Sequence, residues 1–245
     1  LKYNLKMKKI LLTLVLTAGL TGCTSFELEG VPTPETETQK ILSLGLTHDE
    51  NLSVAKNLAG DHMIAVVTGK LIQVENQKNK DMMDAINIAK YSENVEVLEG
   101  DSEIKFKGSP ISNSKRVGML DEFDYHDYFL KGNKDKNTGL IEHQLYLTIK
   151  YTWKKRRNYS SASFCDKWQG CENEEKIAIN QISSSASNCT PSACDYTESM
   201  ELSLSDEFLR NNTDNEFSIS FNSDKATNKI TLTNDYLEGY LKVAN

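Results

Sequence analysis

The chain has 245 residues, 28 Lys and Arg against 35 Asp and Glu for a net charge of −7, 38% hydrophobic residues and five cysteines. That apolar share supports a packed core, and 13 Gly with 4 Pro exclude a fibrous or low-complexity chain. The acidic balance excludes a protein that coats nucleic acid through net charge, so no nucleic-acid partner is expected.

Met7, Lys8 and Lys9 make a positively charged start, Ile10 to Leu20 form an apolar core too short to span a bilayer as a mature helix, and Leu20-Thr21-Gly22-Cys23 closes the segment. Residues 1–22 therefore read as a signal peptide, with translation expected to begin at Met7. Its ending resembles the lipobox of bacterial lipoproteins, in which an aliphatic and two small residues precede a cysteine. Small side chains at Thr21 and Gly22 let the backbone enter the peptidase cleft, and the thiol of Cys23 accepts the diacylglycerol. The resemblance covers residues 7–23 and implies a palmitate-bearing lipid anchor on Cys23 in a bacterial cell envelope. Thr24 rather than an aspartate follows, which in that family implies the outer membrane where the organism has two. An acylated cysteine holds a protein on a membrane without a transmembrane helix, and the longest later apolar run, Met63 to Val67, is only five residues.

Without the four leader lysines the mature chain carries 24 basic and 35 acidic residues, a net of −11. Such a body is repelled by anionic headgroups and is expected to stand off the surface. Residues 23–40, with Pro32, Pro34 and a Thr/Glu alternation, read as lipidated cysteine and flexible tether. Residues 41–245 read as a single α+β globular domain, with short N-terminal helices and a predominantly antiparallel, sandwich-like β part from about 94. In chain order, Thr47 and Asp49 cap a short helix through Leu58. His62 to Val74, rich in Ile and Val and interrupted by Gly69, reads as a bulged strand, and Lys80 to Tyr91 as a helix. Val95 to Phe106 reads as a hairpin turning at Glu99-Gly100-Asp101. The clearest strand runs from Ile141 to Trp153, with Ile141, His143, Leu145, Leu147, Ile149, Tyr151 and Trp153 on one face. Further strands are expected at Ile177–Ile182, Ser199–Leu204, Phe217–Phe221, Lys229–Leu232 and Leu237–Val243.

With Cys23 lipidated, Cys165, Cys171, Cys189 and Cys194 remain. An even number in an oxidising compartment points to two disulfides; the sequence leaves three pairings open, of which Cys165 with Cys171 and Cys189 with Cys194 would each close a short loop. The competing four-cysteine zinc site is disfavoured, because five and four intervening residues are wide for a zinc knuckle.

No HExxH, no GxSxG and no Gly-rich phosphate loop is present, and the SxxK matches at Ser53 and Ser112 lack their companion motifs. No cofactor is expected. Asp121 to Tyr128 is an acidic segment around His126. Asp124, His126 and Asp127 are weak candidates for a hard cation or an acid and base pair, and otherwise form a solvated loop. His143 falls on an apolar strand face, where a bond to a backbone carbonyl is the default and a pairing with His126 the alternative. Lys154, Lys155, Arg156 and Arg157, followed by Tyr159 and Trp168, make a local cation-and-aromatic patch in an acidic body, suited to an envelope protein or an anionic glycan. Two functions result: a non-enzymatic envelope lipoprotein acting as an interaction or assembly module, or an envelope hydrolase or metal-dependent enzyme centred on Asp124, His126 and Asp127.

Overall fold

The computed structural model describes residues 32–117, 122–165, 176–214 and 216–245, with the side chains of 117, 122 and 165 also left aside. The expected leader, the lipidation site Cys23, Trp168, and the pairing of Cys165 with Cys171 lie outside the described residues. Contacts divide the chain into two compact units, Leu1–Glu75 and Asn76–Asn245, where the sequence suggests one domain over 41–245.

The described residues begin with three helices: α1 (Pro34–Leu42), α2 (His48–Ala55) and α3 (Asp61–Glu93). Helix α1 corrects the tether assigned to 34–40. Thr33 and Thr36 form a capping box and Pro34 occupies the first helical turn, where its missing N–H costs nothing. A second box, Thr47 with Glu50, starts α2. In the first unit Ile41, Ala55, Val67 and Leu71 are buried together. The strand expected over 62–74 is instead the beginning of α3. Val67 and Leu71, four residues apart, are its buried pair, so the helical period overrides the β-branched composition.

Among the described residues the second unit holds eleven strands and two further helices. They are β1 (Glu96–Glu99), β2 (Glu103–Lys107), β3 (Ile111–Val117), β4 (Glu122–Asp135), β5 (Ile141–Trp153), β6 (Ser161–Cys165), β7 (Ile177–Ala178), β8 (Asn180–Ser187), β9 (Cys194–Ser205), α4 (Asp206–Asn211), β10 (Phe217–Asn222), β11 (Thr227–Leu232) and α5 (Asn234–Val243). One antiparallel sheet runs β1-β2-β4-β5-β9-β8 with β3 also on β4, and a second runs β11-β10-β6-β7. The fold is α+β and sandwich-like, as the alternation suggests. The fourteen-residue β4 pairs on one edge with β3 over 122–128 and with β2 over 131–135, and on the other with β5 over 125–134.

Inward residues of β5 (Leu145, Leu147, Ile149, Tyr151) and of the smaller sheet (Ala162, Ile219, Phe221, Ile230, Leu232) share one core. The strand expected over 237–243 is α5. Its buried residues Tyr236, Leu237, Tyr240 and Leu241 recur at helical spacing, and Gly239 lets it approach α3: a Cβ there would lie 2.6 Å from the Tyr91 Cβ. From Glu122 onward the acidic segment expected as a loop is likewise the start of β4.

Two glycine substitutions separate tight packing from open surface. A Cβ at Gly132 would lie 2.5 Å from Tyr240 Oη and 3.2 Å from His143 Nδ1, whereas one at Gly69 meets nothing within 4 Å. Urea titration is expected to show Gly132→Ala losing about 1–3 kcal/mol, and Gly69→Ala, mid-helix, gaining about 1 kcal/mol.

Candidate functional site

Strand alternation decides where each candidate residue goes. On β4, Asp124 and His126 share the inward face with Tyr128 and Leu130, and Asp127 faces out. Asp127 accepts from Ser112 Oγ at 2.6 Å and Lys150 Nζ at 3.0 Å, and these bonds hold its carboxyl below the usual range. The three residues are therefore not brought together as a cation site. Among the described residues no three His, Cys, Asp or Glu side chains converge as a metal-binding group.

Inside, Asp124 meets Arg157 from the β5–β6 connection and Asn228 from the smaller sheet. Arg157 Nη1 and Nη2 donate to the two Asp124 carboxylate oxygens at 2.5 and 3.0 Å, with side chains 4% and 5% exposed. This bidentate geometry is the strong form of such a pair. Asn228 is the hub. Its amide donates to Asp124 at 2.7 Å and to His126 Nε2 at 2.8 Å, and its oxygen accepts from Tyr159 Oη and, at 3.3 Å, from Arg157. A donor at Nε2 requires that the neutral imidazole carry its proton on Nδ1, 3.1 Å from Asn113 Oδ1. Burial lowers the His126 pKa from its ordinary 6.5. Burial also opposes charge on Arg157, but its bonds to Asp124 and Tyr159 prevail and raise its pKa. Tyr159 is pushed up by burial to about 12. The cluster sets the Arg157 guanidinium on the Asp124 carboxyl group beside a neutral His126, joined by the Asn228 amide.

A second buried carboxylate, Glu198 on β9, accepts from Tyr151 Oη and from the Asn158 N–H at 3.3 Å, and the Arg157 N–H donates to Tyr151 Oη at 2.8 Å. Asn158, at φ 56°, turns the chain so that Arg157 and Tyr159 both enter the core. Arg157 and Tyr159, expected to bind a partner, are thus internal. Lys154 and Lys155 remain exposed and make no ion pair among the described residues. The Arg156 guanidinium lies 5.8 Å from the Tyr196 ring, and its Nε finds no hydrogen-bond partner there. Trp153, 40% exposed, pairs in register with Cys194, which forms the expected disulfide with Cys189.

His143 does not meet His126. The register places His126 opposite Ile149, six residues along β5 and so about 20 Å away. Instead His143 Nδ1 lies 3.0 Å from Tyr240 Oη and Nε2 3.0 Å from Asp206 Oδ1, in place of the backbone carbonyl expected. Burial lowers its pKa although Asp206 pulls the other way.

Asn228 and Glu198 were not among the sequence candidates. Both sit on inward registers otherwise filled by Ile230 and Leu232, or by Met200, Leu202 and Leu204, so the signal was a polar residue in phase with an apolar face. Comparison of the chain with protein-family models, curated proteins and solved structures finds no match.

Two outcomes test the cluster. Arg157→Met, which strands a buried carboxylate, is expected to lose about 3–5 kcal/mol, against about 0.5 kcal/mol or less for Lys155→Met. Because the His126 and His143 pKa values are lowered in the fold, the unfolded chain binds more protons below pH 6.5. Stability is then full above that pH and falls as pH drops through the lowered values, by up to about 1.4 kcal/mol per pH unit for each histidine. Thermal melts from pH 7 to 5 check this, and His126→Gln should flatten the slope.

Proposed function

We propose that this protein is a lipid-anchored module of the bacterial envelope that works by binding and not by catalysis. It is tethered through Cys23, with the outer membrane as the site that Thr24 suggests, and presents Lys154, Lys155 and Arg156 beside Trp153 and Tyr196 to an acidic surface of another envelope protein. The observation that carries this reading is the internal use of Arg157. The residue that would be the strongest anion ligand of the patch is spent on Asp124 and Asn228, and its burial pins the adjoining cations in place. A preorganised loop loses little entropy on association, and Trp, Tyr and Arg are the side chains that dominate protein interfaces.

Charge supports the same reading. Three adjacent cations on a mature chain of net −11 steer an acidic partner to this loop and no other sign to it. The alternative enzyme centre has less support. Asp124 is 4% and His126 1% exposed, and their donors and acceptors are filled by Arg157, Asn228 and Asn113. Neither side chain has an open face for a substrate or a reactive water.

Two measurements test the proposal. Labelled palmitate should enter the wild-type chain and not Cys23→Ser, and a variant that still takes up label overturns the anchor. Immobilised mature protein should retain an envelope partner at low salt, with retention falling at least about tenfold both in 0.5 M salt and in the variant Lys154→Glu, Lys155→Glu, Arg156→Glu. Equal retention by that variant, with an unchanged urea midpoint, removes the loop from the function.

A further inference from the structure

On the outer face of the larger sheet, two rows of side chains cross four strands. Lys107 lies directly opposite Lys131, and Lys105 opposite Asn133. The rows continue into Gln144 and Glu142 on β5 and end at Glu96 and Leu98 on β1. Together they line a cleft of about 430 Å³, a size that suits one or two sugar rings.

Like charges directly opposite one another in a sheet are destabilising, and a lysine pair with a third lysine two residues along β2 is a local violation in an acidic chain. The arrangement persists because each ammonium leans on a carboxylate at the margin. Lys107 Nζ lies 3.0 Å from Glu96, Lys131 Nζ 3.1 Å from Glu201, and Lys105 Nζ 2.7 Å from Glu103. Each ammonium has three donors, so these pairs leave N–H groups over the cleft. Beside them Phe129 and Tyr146 pack at 5.0 Å, with Lys131 Nζ 4.6 Å from the Tyr146 ring, which holds that ammonium in position.

We propose that this cleft binds a sugar carrying a carboxylate, a hexuronate or similar acidic pyranose. The lysines take the carboxylate, the Gln144 amide and the Glu142 carboxylate bond the ring hydroxyls, and Leu98 with the lysine stems covers the C–H face. The site is independent of the basic loop. Lys131 is seven residues along β4 from Asp124, about 20 Å or more, and faces the opposite side of the sheet.

Digalacturonate is the probe, followed by NMR and calorimetry on the mature chain at fixed ionic strength, with maltose and inorganic phosphate as comparisons. Saturable digalacturonate binding is expected, with shifts centred on Lys107, Lys131 and Gln144. Maltose should bind at least about tenfold more weakly, and Lys107→Gln and Lys131→Gln should each weaken digalacturonate by about tenfold. Both lysines point to solvent, so folding is checked by an unchanged melt. The triple glutamate variant of residues 154–156 should bind digalacturonate as the wild type does, which separates this site from the loop. No saturable binding, phosphate binding as tight as digalacturonate, or indifference to both lysine variants overturns the proposal.

Discussion

A guanidinium and a carboxylate buried together tolerate little freedom. Taking Arg157 and Asp124 out of water costs several kcal/mol per ion unless the geometry is good and the remaining donors are filled. The structure meets that demand with a bidentate pair and the Asn228 hub, which sits on the smaller sheet and draws its partners from β4 and from the β5–β6 connection. Register on β4, the angle between the sheets and the path of residues 154–159 must all agree for the cluster to close. The pair is best viewed as a specificity device: apolar packing of Leu145, Leu147, Phe221 and Ile230 drives association of the sheets, and the polar cluster selects one way of doing it.

The two faces of the larger sheet divide the labour. The inward charged groups and histidines are neutralised or hydrogen-bonded, down to His143 held between Tyr240 and Asp206. Outward groups keep unspent donors, as at Lys107 and Lys131, and the sheet's end keeps Lys154, Lys155 and Arg156. Residues that look most chemical in the sequence, Asp124, His126 and Arg157, thus serve the fold. Plainer ones, lysines on solvent registers, carry the capacity to bind.

Much of this was legible in the sequence, for a physical reason. A half-buried strand imposes a period of two, which marked 141–153 and placed His143 inward. The same period run through 124–130 would have turned the acidic loop into a strand with Asp124 and His126 inside. Errors came where composition and period disagreed. Ile and Val at 64–74 favour strands, yet Val67 and Leu71 bury at helical spacing. Leu237 to Val243 imitates a strand only if the helix start at Thr233, Asn234 and Asp235 is overlooked. The role of Asn228 was not legible, because it depends on a contact with Asp124 across 104 residues that no local pattern contains.

The central claim is that buried polar bonds make the basic loop rigid. It is tested most directly by amide hydrogen exchange at Arg157 and Asn158 in the wild-type chain. Their N–H groups donate to Tyr151 Oη and to Glu198, so both should exchange as slowly as the central amides of β5, through opening of the core. Exchange at the rate of an exposed loop, with β5 still protected, would contradict the account.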